Sequence, residues 1–214
     1  MDPIAFIRAN ARLNSPPLVP EILLHLADEA LPLWEKTEEE LQAIGLPPPY
    51  WAFAWAGGQA LARYVLDNPG IIAGRTVLDV ASGSGLVAIA AAKAGARKVQ
   101  ASEIDSIACA AIAANAEANG AAVTVVERDA IGADDDWEIL LVGDAFYEKP
   151  LADRLLPWID ALASRGALVL LGDPGRSYFP KDRFEHVATY EVPVTRALED
   201  SEIKKTSVWR LRRV

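Results

Sequence analysis

An open α/β sheet, mostly parallel and covered by helices on both faces, is the fold class this sequence predicts, and three observations predict it. From residue 76 onward short apolar runs at 77–80, 99–102, 123–126, 139–142 and 167–171 alternate with helical segments, the pattern of strands joined by crossover helices. The first run ends in an acid and a small-residue turn, Asp79-Val80-Ala81-Ser82-Gly83-Ser84-Gly85, that opens a helix. A last pair of runs, 186–192 and 205–212, reads as an antiparallel hairpin. Five alternating strands and that hairpin give a seven-stranded sheet, the class I (Rossmann-like) methyltransferase pattern; the pattern by itself leaves the substrate open.

A chain of 214 residues, 51% hydrophobic, supports one domain with a sizeable core. We divide it into an N-terminal extension, 1–56, and a main domain, 57–214. Asp2 and Pro3 form an N-cap and first-turn pair, and Ile4, Ile7 and Ala11 recur at helical spacing before Asn14-Ser15-Pro16-Pro17 ends the segment. Residues 21–26 fit a strand, and Ile22, Leu23, Leu26 and Ala30 equally fit a helix face. Thr37-Glu38-Glu39-Glu40 resembles a capping box for a short helix closed by Gly45. Pro47-Pro48-Pro49 then stiffens the approach to an aromatic stretch, Tyr50 to Trp55, which precedes a helix at 58–68 stopped by Pro69-Gly70. Further helices are expected at 85–94, 106–119 and 151–164, with Asp105 as an N-cap and Gly120 as a stop.

Composition narrows the function classes. A formal net charge of −9 argues against a nucleic-acid partner, which calls for a basic footprint, and favours basic or neutral targets. The single cysteine, Cys109, excludes a disulfide framework or a multi-cysteine metal site within the chain and fits a reducing compartment. His25 and His186 stand far apart with no His or Cys beside them, which speaks against a metal site or a catalytic triad. The start of the chain lacks the basic and apolar regions of a signal peptide, and no apolar stretch reads as a membrane span. A cytoplasmic protein is the expectation.

In open α/β sheets the ligand lies beyond the carboxyl ends of the strands, so the residues ending each strand carry the chemistry. Gly83 and Gly85 permit close approach of a flat polar ligand to the main chain at a helix N-terminus. Asp79 would repel a pyrophosphate and suits the cationic amino group of S-adenosylmethionine. The same glycines also fit the dinucleotide pattern G-x-G-x-x-G/A, with Glu103 about twenty residues further on. Asp79, the small residues Ala81 and Ser82, and Asp144 favour methyl transfer. Glu103 suits ribose hydroxyls; Asp129 suits either the adenine amino group or a simple turn. Among Trp51, Phe53 and Trp55 at least one is expected in the core, and Trp55 is the best candidate to cover the cofactor or its sulfonium methyl, a contact worth roughly 0.5–2 kcal/mol. Asp144 and Tyr147, three residues apart at the sheet's edge, can jointly hold a polar nucleophile, with a helix N-cap and a packed tyrosine as the plainer reading. Gly172-Asp173-Pro174-Gly175-Arg176 forms a second polar turn at the same crevice.

The segments Pro49-Tyr50-Trp51-Ala52, Trp55-Ala56-Gly57-Gly58-Gln59-Ala60-Leu61, Tyr64 to Pro69, Asp144-x-x-Tyr147 and Gly172 to Arg176 resemble the electron transfer flavoprotein β-subunit lysine methyltransferases. These belong to the seven-stranded, D-x-x-Y-bearing protein methyltransferases. The resemblance runs from Phe6-Ile7-Arg8 and Leu18-Val19-Pro20-Glu21 to Thr206-Ser207-Val208-Trp209, with Ala81 departing where the wider loop has its first glycine. It implies transfer of methyl from S-adenosylmethionine to a lysine of the electron transfer flavoprotein beta subunit. Cofactor contacts then fall to Trp55, Asp79, Ala81, Gly83, Gly85, Glu103, Asp129 and Asp144, and catalysis to Asp144 and Tyr147. A small-molecule methyltransferase or a non-catalytic nucleotide-binding module are the alternatives on the same fold. A free lysine, with a pKa near ~10.4, must lose its proton to attack. A carboxylate favours the ammonium, so Asp144 is assigned to capturing and aiming the ε-amino group, with Tyr147 supporting substrate or cofactor.

Overall fold

The computed structural model describes residues 2–27, 47–194 and 201–212; the capping box expected at 37–40 lies outside them. Helix α1 (Pro3–Asn10) starts as the sequence dictates, with Asp2 accepting the Ile4 N–H at 3.0 Å and Pro3 in the first turn. A two-stranded antiparallel ribbon follows, β1 (Arg12–Asn14) against β2 (Leu24–Leu26), so the ambiguous segment at 21–26 ends as strand. After a single 3-10 turn at Tyr50–Ala52 come α2 (Ala56–Asp67), the one-turn α3 (Pro69–Ile72), β3 (Thr76–Val80), α4 (Leu86–Lys93), β4 (Lys98–Glu103) and α5 (Ser106–Ala118). The chain continues with β5 (Thr124–Glu127), β6 (Ile139–Gly143), α6 (Lys149–Ser164), β7 (Leu168–Asp173), β8 (Phe184–Pro193) and β9 (Ile203–Leu211).

The main sheet has the order β5-β4-β3-β6-β7-β9-β8. Its first five members are parallel, and β9 runs antiparallel to both β7 and β8, which is the expected closing hairpin. Strand side chains alternate between faces, and the apolar runs are long enough to bury both. Val77, Ile139, Leu141 and Leu170 point to a core shared with α2, α4 and α5, which contribute Leu61, Val65, Ile89 and Ile112. Leu78, Leu140, Val142 and Leu171 point the other way, onto Leu155, Trp158, Ile159 and Leu162 of α6.

A third cluster joins the N-terminal segment to the domain: Ile7, Ala11, Trp51 and Phe53 pack on Ile107, Ala108 and Ala111 of α5. Asn115, fully buried on the same helix, accepts the His25 N–H at 2.8 Å and donates to the Ser84 carbonyl at 2.8 Å, so one amide ties the ribbon to the loop after β3. His25 also meets Asn115 Oδ1 through Nδ1, and His186 meets Thr189 Oγ1, both at hydrogen-bond distance.

Two boundaries differ from expectation for identifiable reasons. Helix α2 begins at Ala56, ahead of the expected residue 58, with both glycines inside its first turn. Glycine disfavours helix interiors, but here close packing requires it: a Cβ on Gly172 would lie 2.0 Å from the Gly57 carbonyl oxygen, and one on Gly57 would lie 2.4 Å from the Gly172 oxygen. Pro69 does not only end a helix; it occupies the first turn of α3, where its missing N–H costs nothing.

This contact predicts a stability difference. Gly172→Ala forces backbone apart and should destabilise the fold by about 1–3 kcal/mol. Gly70→Ala, where a Cβ meets nothing within 4 Å, should be neutral or stabilise by up to about 1 kcal/mol. Denaturant unfolding of the two variants checks this, and equal midpoints would contradict it.

Candidate active site

At the carboxyl ends of β3, β4 and β6 the described residues enclose a cavity of about 480 Å3, within the usual size range for small-molecule sites. Of the residues predicted for the site, Trp55, Asp79, Ala81, Gly83, Glu103, Asp129, Asp144 and Tyr147 all line it. Gly85 is not among the lining residues. It starts α4 at φ 82°, and a Cβ there would sit 3.1 Å from Ile112 Cγ2, so helix packing accounts for it.

The loop after β3 turns through positive φ at Ala81 (51°) and Gly83 (56°). At Gly83 the space a Cβ would take is open, with the Tyr50 carbonyl oxygen nearest at 4.0 Å. Ala81, standing where the wider loop has glycine, adopts a left-handed conformation that costs a side-chain-bearing residue about 1–2 kcal/mol. Asp79 lies beneath this loop, 1% exposed. Its Oδ2 accepts the Ser82 hydroxyl at 2.5 Å and the Ala88 N–H at 3.1 Å, so it pins both loop and helix. Burial pushes its carboxyl up to about 7 against the pull of those two hydrogen bonds, and Glu103 adds to the rise.

Glu103 closes the loop from the side. Its Oε2 accepts the Gly83 N–H at 3.0 Å, and its Oε1 accepts Ile104 and Asp105 N–H groups at 2.8 and 3.3 Å. Asp105 caps α5 through the Ile107 N–H, separating the capping role from Glu103. Asp129 accepts the Ile131 N–H at 2.9 Å and pairs with Arg154 of α6, which holds its carboxyl below the ordinary range despite partial burial.

A second part of the cavity lining is built around Asp144, 7% exposed and held at φ 60°. Its backbone N–H donates to the Gly172 carbonyl at 2.9 Å, and its Oδ2 accepts the Gly57 N–H at 2.9 Å. Arg176 forks onto it, with Nε to Oδ1 at 2.6 Å and Nη2 to Oδ2 at 3.1 Å. The same guanidinium lies 6.0 Å from the Trp55 ring centroid. Tyr50 bridges Trp55 and Tyr147, with ring centroids 5.9 and 5.6 Å away, and its carbonyl accepts the Trp55 indole N–H at 2.9 Å. Tyr147 is a phenol whose pKa is raised by burial first, then by Tyr50 and neighbouring carboxylates, so it is a neutral donor. Helix α6 begins at Lys149 with no side-chain cap, so Asp144 is not its N-cap.

Sequence reasoning did not assign three of these residues to the site. In the sequence Ser82 signals only by its size, Tyr50 only as part of an aromatic run, and Arg176 only as part of a polar turn. The available signal for Arg176 was its place at the end of that turn: Asp173 Oδ1 accepts the Gly175 and Arg176 N–H groups at 2.6 and 2.9 Å and aims the side chain back at Asp144. Trp51, 1% exposed, is the core aromatic the sequence called for. Among the described residues no group of three or more His, Cys, Asp or Glu is arranged to hold a metal ion.

An open-faced turn, carboxylates at successive strand ends and an aromatic wall fit a nucleoside bearing a cationic amino-acid tail. The closing β7-β9-β8 arrangement completes the fold of a class I S-adenosylmethionine-dependent methyltransferase. Among solved structures, magnesium protoporphyrin IX methyltransferase of Synechocystis PCC 6803 with bound S-adenosylmethionine matches with a TM-score of 0.53 and 19% identity, over 72% of this chain and 79% of that one. The ribosomal protein L11 methylase of Lactobacillus delbrueckii subsp. bulgaricus matches with a TM-score of 0.51 and 21% identity, over 72% and 77%. At such identities the likeness speaks to the fold. A family model described as ribosomal protein L11 methyltransferase (PrmA) matches residues 59–140.

Much nearer relatives are the electron transfer flavoprotein beta subunit lysine methyltransferases of Danio rerio, 40% identical over 96% of this chain and 81% of the relative, and of Homo sapiens, 36% identical over 96% and 80%. The chain belongs to this family and is an S-adenosylmethionine-dependent protein-lysine N-methyltransferase.

The burial of Asp79 predicts a pH signature in the cofactor-free protein. Its proton is held more tightly folded than unfolded, so its contribution to stability is fully present below the ordinary 3.8 and is lost as pH rises through about 7. Asp79→Asn removes that loss while keeping an acceptor for Ala88. The stability of the variant relative to wild type should rise between pH 4 and 7 and level off by pH 8, with a gain on the order of 2–4 kcal/mol. Parallel stability curves for the two proteins would contradict the assignment.

Proposed function

We propose that this methyltransferase modifies a lysine of the electron transfer flavoprotein beta subunit, as the names of its relatives say of them. The observation that carries the site assignment is that one cavity is lined both by Gly83 and Glu103, which suit a cofactor, and by Asp144 and Tyr147, which suit an acceptor. We read 1–56 as an extension, among whose described residues Trp51 and Phe53 pack on α5 and Trp55 lines the cavity, and 57–214 as the catalytic domain.

When bound, S-adenosylmethionine supplies an electrophilic methyl: nitrogen forms the new bond to carbon while the carbon–sulfur bond breaks and its electron pair passes to sulfur. The chain's own residues do the rest. Glu103 accepts from ribose hydroxyls, and Ala81 and Gly83 offer open backbone. Asp129 stands at the base end and Asp79 at the amino-acid end. Among the described residues Asp144 accepts three hydrogens, two from Arg176 and one from Gly57, of the four or so lone-pair directions a carboxylate offers. The remaining direction suits one N–H of the acceptor amine and fixes where its lone pair points, and alignment of this kind supplies much of the acceleration. Tyr147 donates from its phenol, while Trp55 and Tyr50 exclude water and favour a nearby cation.

The acidic surface supports a basic, lysine-bearing partner and gives no footing for nucleic acid. Among the described residues no helix is long and apolar enough to cross a membrane. The single cysteine supports a cytoplasmic, reducing setting.

Two measurements test this reading. Purified electron transfer flavoprotein should acquire methyl groups on a beta-subunit lysine, at a rate that falls as ionic strength rises; label confined to small metabolites would defeat it. Glu103→Ala should weaken S-adenosylhomocysteine binding by about tenfold or more. Asp144→Asn should leave that affinity within about threefold and cut transfer by about 10²-fold. Equal loss of cofactor affinity in both variants would show the two ends misassigned.

A further inference from the structure

Asp144 does not face the cavity as a bare carboxylate. Arg176 holds it through two hydrogen bonds, at 2.6 and 3.1 Å, and the pair is well sheltered, the Asp144 side chain being 4% and the Arg176 side chain 21% exposed. The fork is built by a dedicated turn. Asp173, 2% exposed, accepts the Gly175 and Arg176 N–H groups, and Gly175 takes a left-handed φ of 95° to make the bend. Structural anchoring alone does not call for a cation here, because Asp144 already bonds Gly57 and its backbone bonds Gly172.

The chemistry gives the cation a purpose. An acceptor lysine arrives as an ammonium and attacks only as a free amine. A bare buried carboxylate at its side would raise the ammonium's pKa and trap the unreactive form; a carboxylate already paired with a guanidinium would not. Guanidinium keeps its charge at any working pH, and its fork matches a carboxylate face to face. We propose that Arg176 is a positioning residue for methyl transfer: by holding Asp144 in a bidentate ion pair, it lets the acceptor amine dock on that carboxylate without its proton. The proton passes to water at the mouth before the nitrogen attacks. This inference rests on the lysine-methylation reading.

The other titratable groups near the pair are Asp173 from the β7 turn, Tyr147 and Glu148 ahead of α6, Tyr50 from the 3-10 turn and Glu103 from β4. Burial pushes Asp173 up to about 6, and Tyr147 is raised beyond the ordinary phenol range. Asp173 is thereby placed below and Tyr147 above the window between pH 8 and 10, in which the proposal has the acceptor amine lose its proton.

The test is the pH dependence of kcat and KM for methylation of purified electron transfer flavoprotein by wild type, R176Q and R176K, with thermal midpoints and S-adenosylhomocysteine affinity measured alongside. R176Q should shift the rising limb of kcat upward by about one pH unit. That shift is about a tenfold loss at pH 8 that narrows toward pH 10, with KM unchanged or lower because the freed Asp144 captures ammonium. R176K keeps the charge, so its limb should stay with wild type even where its rate is lower. A limb that does not move in R176Q, a loss equal at every pH, or a raised KM overturns the inference. So does an R176K limb displaced as far as that of R176Q. Absence of transfer by wild type would instead defeat the functional reading itself.

Discussion

Where the first turn of α2 meets the ends of β6 and β7, four glycines let backbone touch backbone. A Cβ on Gly172 would lie 2.0 Å from Gly57 O, and one on Gly143 would lie 3.1 Å from Gly58 Cα. Only at this separation can the Gly57 N–H reach the Asp144 carboxylate while the Asp144 N–H reaches the Gly172 carbonyl. The contact therefore fixes Asp144 in three dimensions and, with it, the position of Arg176, the start of α2 and the placement of Trp55 just before it. Substituting Gly57 or Gly172 would force the first turn of α2 away from the strand ends and displace Asp144 with them.

The two ends of the cavity treat charge differently. On the proposed assignment the cofactor end holds Asp79, whose carboxyl is raised to about 7 by burial, and Glu103, which among the described residues accepts backbone N–H groups, while Asp129 there is paired with Arg154. Burial of the Asp79 carboxyl is unfavourable to its charged form, and a cationic tail bound beside it would offset that cost. At the acceptor end the carboxylate is matched by a guanidinium within the chain. On that assignment a cationic cofactor tail would meet Asp79 and Glu103, whereas an incoming ammonium would meet a carboxylate already paired with Arg176. That difference is what a methyl transfer from a sulfonium to an amine needs.

The alternating apolar runs, the glycine turn and the terminal hairpin made the fold legible in the sequence, because strands buried on both faces need unbroken Val, Leu and Ile runs such as 139–142. That Asp79, Glu103, Asp129 and Asp144 would line one cavity was legible too, because residues at the carboxyl ends of parallel strands come together at one edge of the sheet. The α2 start, at Ala56 where 58 was expected, was not legible, since Gly57 reads as helix-avoiding until Gly172 is seen against it. Gly85 matched a cofactor motif, yet its neighbour is Ile112, a residue 27 positions away that no local pattern reveals. Arg176 lies 32 residues from Asp144, and only the third dimension joins them.

The account turns on whether Asp144 receives the acceptor while still paired. A crystal structure with S-adenosylhomocysteine and a lysine-bearing segment of the flavoprotein beta subunit measures this directly. The account predicts that Arg176 remains forked on Asp144, that the Gly57 N–H keeps its bond, and that the lysine nitrogen lies within hydrogen-bond reach of the carboxylate. A structure in which Arg176 has swung away and the lysine takes its place on Asp144 would contradict it.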